Sequence, residues 1–217
     1  MKKSYFPLLL LCVFLLTSCI PHLVTQGIKD KTSNYFVTTS GKKIDASSVN
    51  FNAATASADT TSFSLKNVSA IKIGTAYYGV KNGAVYDGVY YGKLMLLRRY
   101  WGTSYDMNTH ASHPVYAYYL QKEGQPEIVD MTGKNLVDYV QDDPLALRKA
   151  RAARIYSTVN TVTVFTTIAG LGCVFLPYSS KIRNPAVTVG LFSMPAFLIT
   201  LPIGPHKRYK TVLVYNR

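Results

Sequence analysis

The sequence predicts an α+β protein in which a small antiparallel β sheet or barrel domain is followed by a C-terminal helical hairpin that crosses a membrane. Between residues 34 and 132, short alternating apolar and polar stretches are separated by turn residues, as is typical of antiparallel strands. Residues 155–176 and 185–205 carry no charge, and each run matches the roughly 20 residues of a bilayer-spanning helix. The 217 residues are 48% hydrophobic and 16% charged, which allows one or two domains and excludes a mostly disordered chain.

Strand candidates follow one another closely in the predicted β domain, residues 34–132. Asn82-Gly83 separates two of them and is a strong hairpin signal, since both residues tolerate a positive φ. Residues 52–61 are rich in Ala, Ser, Thr and Asp and predict a loop. Short strands separated by tight turns indicate an antiparallel sheet or a small barrel. The candidate strands lie at residues 35–39, 42–44, 63–65, 71–73, 76–81, 84–90, 94–101, 115–121 and 126–131.

Tyrosine dominates the β domain, and the chain contains seventeen tyrosines in total. The pattern favours cross-strand packing, because tyrosine suits a half-buried pleated surface. The alternative is a module that binds a small ligand or a glycan through exposed rings, since tyrosine combines a large contact area with a polar tip. The candidate ligand-binding residues are Tyr77, Tyr90, Trp101 and Tyr118.

Residues 133–154 predict a short helix followed by a basic helix next to the membrane. Asp143 before Pro144 is typical of a helix start, because Asp caps the first N–H groups and Pro suits the first helical position. Residues 155–205 then predict the two membrane helices, and residues 206–217 predict a basic C-terminal tail. Threonines and glycines in both helices suit helix packing in lipid. A hairpin buried in a soluble domain, or one lying in the membrane interface, is the alternative.

The basic residues are concentrated in the C-terminal third. Residues 20–143 contain 12 Lys and Arg against 11 Asp and Glu, whereas residues 144–217 contain 10 Lys and Arg and no acid. Because these cations border uncharged stretches, the pattern predicts an anionic membrane surface as the partner and argues against nucleic acid. The predicted membrane-surface contacts are Arg148, Lys149, Arg151, Arg154, Lys207, Arg208 and Lys210.

One short constellation could hold a metal. Asp106, His110 and His113 have a spacing that could supply a carboxylate and two imidazole ligands. Asn108, Ser112 and Pro114 predict a loop at this place, however, so the sequence favours ordinary exposed histidines. We find no phosphate-binding loop and no nucleophile elbow. The sequence therefore predicts no catalytic residues, no cofactor and a non-enzymatic role.

The first residues have the pattern of an export signal. Lys2 and Lys3 precede an apolar run at residues 6–16, which is too short for an easy membrane span. The run ends in Leu16-Thr17-Ser18-Cys19, which resembles the lipobox of bacterial lipoproteins. The resemblance implies that residues 1–18 are removed and that Cys19 carries the lipid. Residues 19–33 would then be a tether, and the single remaining Cys173 excludes an internal disulfide.

Softer features extend this resemblance along the chain. Asn135–Val140, Asp143-Pro144 and Tyr209–Asn216 resemble segments of uncharacterised small envelope lipoproteins of Bacteroidota-type bacteria. The resemblance implies an envelope protein and carries no activity. Two independent membrane anchors with no chemical motif between them predict a lipid-anchored protein with a periplasmic β domain and a structural or accessory role. The predicted partners are membrane lipids and either an envelope protein or a second copy bound through the hairpin. With this orientation most of the cations lie on the exported side, against the positive-inside tendency; a shallow hairpin or a larger complex would remove the conflict.

Overall fold

The computed structural model describes residues 27–107, 109–173 and 183–217, and this part of the chain is α+β, as predicted. It contains an eight-stranded antiparallel sheet, a three-stranded antiparallel sheet and three α-helices. The strands are β1 Asn34–Thr38, β2 Lys43–Ala46, β3 Val49–Phe51, β4 Thr55–Ala58, β5 Thr61–Ser64, β6 Val68–Ile73, β7 Ala76–Lys81, β8 Ala84–Tyr90, β9 Leu94–Asp106, β10 Ala111–Lys122 and β11 Ile128–Asp130. The helices are α1 Gly133–Tyr139, α2 Pro144–Gly172 and α3 Arg183–Tyr215.

The large sheet has the strand order β11-β10-β9-β8-β7-β6-β1-β2. From β6 to β11 each strand pairs with its neighbour in sequence, which is the arrangement that a series of hairpins produces. Asn82 and Gly83 have φ values of 53° and 79°, so the predicted tight turn joins β7 to β8. Because the order ends at β11 and β2, the described sheet is open, and the barrel alternative is wrong.

The loop predicted at residues 52–61 is wrong, because this segment forms β4 and the first residue of β5. Ala56 and Ala58 alternate with polar residues and are buried, so the period of two is present but is carried by small side chains. Asp59 occupies the turn at a φ of 51° and accepts hydrogen bonds from the Ser47 hydroxyl and the Ser48 amide. These bonds fasten the small sheet to the end of β2.

Two apolar clusters cover opposite faces of the large sheet. Phe36 and Ile71 belong to the first cluster, which also contains buried residues of β3 and β4, so the small sheet packs on this face. Ala70, the neighbour of Ile71 on β6, belongs to the second cluster together with Leu97. Successive strand residues point to opposite faces, and the two clusters follow this alternation.

Part of the predicted tether belongs to the β domain. Residues 27–33 are the described portion of the predicted tether 19–33, and Ile28 packs against the second cluster. Lys72 Nζ donates to the backbone oxygen of Ser33 at 2.8 Å and to its hydroxyl at 2.7 Å. These residues therefore do not act as a free linker.

The C-terminal segment is helical as far as Tyr215. The predicted basic tail at residues 206–217 continues α3 to that residue. The described residues divide into two compact units: residues 140–173 and 183–211 contain the helix pair, and residues 27–107, 109–139 and 212–217 form the β unit. Within the β unit, the Asn216 side chain accepts from the Leu94 amide at 2.9 Å and donates to the Leu94 carbonyl at 2.8 Å, as a strand partner would.

Candidate membrane-binding site

The two long helices contact each other through polar and small residues. The Thr200 hydroxyl donates to Asn160 Oδ1 at 3.1 Å, and the hydroxyls of Thr167 and Ser193 lie 2.8 Å apart. A Cβ atom added to Gly170 would lie 2.5 Å from the Cα of Gly190, so the backbones approach at a distance that only glycine permits. These contacts define an antiparallel pair of the kind that small residues and hydroxyls stabilise in lipid.

Other hydroxyls of the helix pair bond to the backbone of their own helix. Thr158, Thr161 and Thr166 each donate to the carbonyl four residues earlier, at distances between 2.8 and 3.1 Å. Thr200 makes the same bond to Ala196 in addition to its contact with Asn160. Hydroxyls with an internal partner do not need water, which lowers the cost of placing these helices in an apolar medium.

The outward faces of the helix pair are apolar. Side-chain exposure within the structure ranges from 40% for Leu201 to 79% for Phe192. The exposed large apolar residues are Leu145, Ile155, Val159, Val162, Phe165 and Ile168 on α2, and Val189, Leu191, Phe192, Ile199 and Leu201 on α3. So many exposed large apolar side chains on one pair of helices mark a site of membrane or protein contact.

The structure brings the predicted membrane-surface residues to one end of this pair. Because Asn160 pairs with Thr200 and Thr167 with Ser193, the start of α2 lies beside the end of α3. Lys207 Nζ lies 4.8 Å from the centre of the Tyr156 ring, which confirms this register. The cationic end contains Arg148, Lys149, Arg151 and Arg154 on α2 and Lys207, Arg208 and Lys210 on α3.

One described helix is long and apolar enough to cross a bilayer. It is the part of α3 from Pro185 to Tyr215, and only 12% of its most apolar window is buried within the structure. The helix α2 does not meet the same criterion of length and composition, so the prediction of two membrane helices is supported for one of them. The alternative of a core helix is not favoured for α3, because a helix in a soluble core is mostly buried.

The predicted aromatic binding residues are not brought together into one exposed cleft. Tyr77 is buried, and its hydroxyl donates to Gln121 Oε1 at 3.0 Å. Burial raises the pKa of Tyr77 well above its usual value. Tyr90 and Tyr118 are half-buried, whereas Trp101 is 79% exposed. For Tyr77 and its neighbours Tyr35 and Tyr91, packing within the β unit is the role that the structure supports.

Asp106, His110 and His113 do not form a ligand set. Among the residues that the structure describes, no three His, Cys, Asp or Glu side chains are grouped closely enough to hold a metal ion. His110 Nδ1 instead lies 3.0 Å from the Tyr105 hydroxyl in a turn, with a φ of 53°. His113 lies on β10 rather than in the predicted loop.

The sequence reasoning missed the exposed end of the β9 and β10 strands. Tyr100, Tyr105 and Met107 are 57%, 57% and 82% exposed and lie within six residues of Trp101 in the sequence. The two strands continue well beyond the predicted segments 94–101 and 115–121. The available signal was the aromatic residues Tyr100, Trp101 and Tyr105, which flank the small residues 102–104.

No family model, curated protein or solved structure matches this chain. The predicted signal peptide, residues 1–18, and the predicted lipid-attachment residue Cys19 lie outside the described residues, as do residues 174–182 between α2 and α3.

Proposed function

We propose that this protein is a lipid-anchored, membrane-associated envelope protein with a structural or accessory role, which presents its β unit to an envelope partner. The observation that carries the proposal is the inverted polarity of the helix pair. Its hydroxyls and its asparagine face the partner helix or bond to their own backbone, while large apolar side chains such as Phe165 and Phe192 face outward. This distribution suits a hydrocarbon solvent and is the reverse of a water-soluble hairpin.

The dimensions of the helix pair agree with a bilayer. The uncharged described part of α2, residues 155–172, is about 27 Å long at 1.5 Å per residue, and the uncharged run of α3, residues 185–205, is about 32 Å long. The hydrocarbon core of a typical bilayer is about 30 Å thick. We therefore propose that α3, which alone among the described helices meets the criterion of length and composition, crosses the bilayer and that α2 lies in the membrane against it.

The cationic end of the helix pair would lie among lipid headgroups. Arg148, Arg151, Arg154 and Lys210 are exposed there, and residues 144–217 include no acid that could neutralise them. Lysine and arginine next to a membrane attract anionic lipids by about 1 kcal/mol each. Tyr156, which lies beneath Lys207, has the amphipathic ring typical of the membrane interface.

The lipid anchor at Cys19 and the periplasmic location rest on the lipobox Leu16-Thr17-Ser18-Cys19. Acyl chains on Cys19 and the helix pair would be independent anchors, since they lie at opposite ends of the chain. The absence of a recognisable catalytic motif between them supports an accessory role, with a second protein or a second copy as the partner.

The test is membrane fractionation of four forms of the full chain. They are the wild type, Cys19→Ala, the double variant Phe165→Arg/Phe192→Arg, and the combination of all three substitutions. We expect the first three forms to remain in the membrane fraction after carbonate extraction and the combined form to be released. Metabolic labelling with palmitate should mark the wild type and the double variant but not the Cys19→Ala forms.

Each of three results would contradict a part of the proposal. A wild-type chain that is recovered in the soluble fraction would show that the helix pair is buried in a water-soluble assembly. A wild-type chain without acyl label would remove the lipid anchor while leaving the helix pair as a membrane anchor. A detergent-solubilised protein that runs only as a monomer would remove the proposed partner.

A further inference from the structure

The strands β9 and β10 form a hairpin that extends beyond the rest of the large sheet. Strand β8 pairs with β9 no further than Arg98, and β11 pairs with β10 no further back than Tyr119. From residue 99 to residue 118, which we call the distal hairpin, the two strands pair only with each other among the described strands. Each strand therefore has one edge without a strand partner in the described sheet, and such an edge is a template for pairing with another chain.

The two edges of the distal hairpin are not equally suited to pairing. The β10 edge, residues 111–118, contains Pro114, which has no N–H to donate, and proline is typical of strand edges that stay unpaired. The β9 edge, residues 99–106, contains no proline, and most of its residues are exposed. The β9 edge is thus the one that is open to a strand from a partner.

The charges of the β9 edge are complementary to those of a second copy of the same edge. Arg99 and Asp106 are the only charged residues of this segment, and they stand at its two ends. In an antiparallel pair with a two-fold axis every contact occurs twice, so Arg99 of each copy would face Asp106 of the other. The same register places Tyr100 opposite Tyr105 of the second copy, and cross-strand aromatic pairs are favourable.

A β-bulge in β9 decides whether two copies can pair in this register. Residues that face each other across two strands point to the same side of the sheet, whereas residues an odd number of positions apart in a regular strand point to opposite sides. Tyr100 pairs with Tyr116 and Gly102 pairs with Val115, so Trp101 is an extra residue on β9. The extra residue shifts the alternation by one.

The shift brings the members of each facing pair to the same side of the distal hairpin. Arg99 and Asp106 are an odd number of positions apart, but with the extra residue between them they lie on one side. Tyr100 and Tyr105 likewise share the other side. The hydroxyls of Tyr100 and Thr103 are 2.5 Å apart, as this arrangement requires. Without the bulge, neither facing pair could form.

The remaining positions of the register are also consistent. With one extra residue in each strand, Gly102 of one copy faces Ser104 of the other, and Thr103 lies opposite its own equivalent at the two-fold axis. Gly102 and Ser104 both lie on the side of Arg99, as their pairing with β10 shows. Two copies of the β9 edge can therefore pair from one end to the other without a residue changing sides.

Arg99 has donors to offer to a second copy. Its side chain is exposed, and its guanidinium lies 5.5 Å from the centre of the Tyr86 ring. Within the part of the chain that the structure describes, no carboxylate lies within 4.0 Å of Arg99. A carboxylate from another molecule would therefore give this guanidinium an ion-pair partner.

We propose that the β9 edge binds a second copy of this chain, in an antiparallel pair with a two-fold axis at Thr103. This inference rests on the proposed function, which names an envelope protein or a second copy as the partner, and it identifies both the partner and the surface. Each copy would contribute residues 99–106, and the two β units would be joined through their distal hairpins.

Disulfide trapping of the full chain, in membranes of the cells that express it, tests the register. The background is Cys173→Ser, which removes the free thiol of α2 and shows any dimer that other thiols form. Thr103→Cys places a thiol at the two-fold axis, where facing Cα atoms are about 4.5–5.5 Å apart and can be bridged. Ser104→Cys is the matched control, because it faces Gly102 of the second copy rather than its own equivalent. We expect mild oxidation to link most of the first variant into dimers and to leave the second monomeric, like the background.

Charge reversal tests the ion pair between the copies. In the Thr103→Cys form, Arg99→Glu should lower the linked fraction several-fold, because it places a carboxylate opposite Asp106. Adding Asp106→Arg should restore the linked fraction, since opposite charges then face each other again. Circular dichroism of the purified variants checks that the β unit is retained. A folded Arg99→Glu variant that links as well as its parent, or a loss that Asp106→Arg does not restore, would contradict the register.

The outcomes separate this inference from the proposed function. If the chain stays in the membrane fraction and Thr103→Cys links no better than Ser104→Cys, the inference alone is overturned. The same holds if a chemical crosslinker yields dimers of the background protein but Thr103→Cys forms no disulfide. A wild-type chain that is recovered in the soluble fraction would instead contradict the proposed function, and the same trapping in that fraction would still decide the inference.

Discussion

The β unit and the helix pair distribute polar and apolar side chains in opposite ways. In the β unit, Phe36 and Leu97 are fully buried, and the exposed positions are largely polar. In the helix pair, Phe165 and Phe192 are 69% and 79% exposed, while Thr167 is only 8% exposed. The same hydrophobic effect explains both arrangements if the two units fold in different solvents.

Polar groups are satisfied differently in the two units. In the β unit, buried groups find partners far away in sequence, as Tyr77 does with Gln121 and Lys72 with Ser33. Burial lowers the pKa of Lys72, and the nearby Asp30 charge opposes this shift. In the helix pair, most threonine hydroxyls bond to a carbonyl three or four residues earlier. These hydroxyls therefore have hydrogen-bond partners within their own helix, so each helix can enter an apolar medium without first forming hydrogen bonds to the other helix.

The largest expected effect is the removal of a core aromatic ring from the β unit. Phe36→Ala should lower the free energy of unfolding by about 3–5 kcal/mol, because it removes a fully buried ring and leaves a cavity. The matched Phe192→Ala in α3 should change this free energy far less, since Phe192 is 79% exposed within the structure. Urea unfolding in detergent micelles, followed by near-ultraviolet circular dichroism, measures both. Equal losses would show that Phe192 also lies in a packed core.

A charge on the outer face of α3 should oppose membrane insertion. Phe192→Arg should raise the insertion free energy by about 2.5–3.5 kcal/mol if the residue lies near the bilayer centre. The control is Thr60→Arg, at an exposed position in the turn between β4 and β5, where an added charge remains in water. A glycosylation-site insertion assay compares the two variants. Equal insertion of both would mean that the outer face of α3 does not contact hydrocarbon.

A smaller effect is expected for the polar contact between the helices. A double-mutant cycle with Asn160→Ala and Thr200→Ala should give a coupling energy of about 0.6 kcal/mol, the average for hydrogen bonds between membrane helices. Thr166 bonds to the Val162 carbonyl of its own helix, so Thr166→Ala should show no coupling to Thr200→Ala. Unfolding of the reconstituted protein by steric trapping supplies the four free energies. Coupling of the control pair would indicate that the variants perturb the whole helix pair.

Local features of this fold were predictable from the sequence, and non-local ones were not. The Asn82-Gly83 turn and the Asp143 cap depend on adjacent residues, and both occur as predicted; Asp143 accepts from the amides of Leu145 and Ala146. Strand β4 was missed because its buried positions hold only alanine. The docking of Asn216 on Leu94 joins residues 122 positions apart, which no local pattern encodes.

In the candidate membrane-binding site, too, the local features were predictable from the sequence and the non-local ones were not. The cations and the uncharged runs are visible in the sequence, whereas the antiparallel register that gathers the cations at one end depends on Asn160 and Thr200. Strand alternation also does not show which aromatic side chains other elements bury. The predicted ligand-binding residues therefore include both Tyr77, which is buried, and Trp101, which is exposed. In the pairing of β9 with β10, Trp101 is an extra residue between Tyr100 and Gly102, and this β-bulge was not predicted because nothing in the local sequence pattern marks it.

The smallest expected effect is a difference in acid sensitivity between the two units. Hydrogen bonds from the Ser47 hydroxyl and the Ser48 amide hold the pKa of Asp59 below its usual value of 3.8. The charged carboxylate is thus favoured in the folded state, so its stabilising contribution is present above about pH 4 and is lost as the pH falls through the lowered pKa. The helix pair has no acid from residue 144 onward and should keep its structure over this range.

Asp59→Asn tests this difference, because Asn also tolerates the positive φ of 51° but cannot be ionised. Relative to the wild type, the variant should lose thermal stability at neutral pH and show a smaller further decrease as the pH is lowered from about 5 to about 2.5. Near-ultraviolet circular dichroism follows the tyrosine-rich β unit, and the signal at 222 nm, a conventional helix wavelength, follows α2 and α3. If the helical signal is lost at the same pH as the tyrosine signal, the two units unfold together. That result would contradict the expected difference in their acid stability.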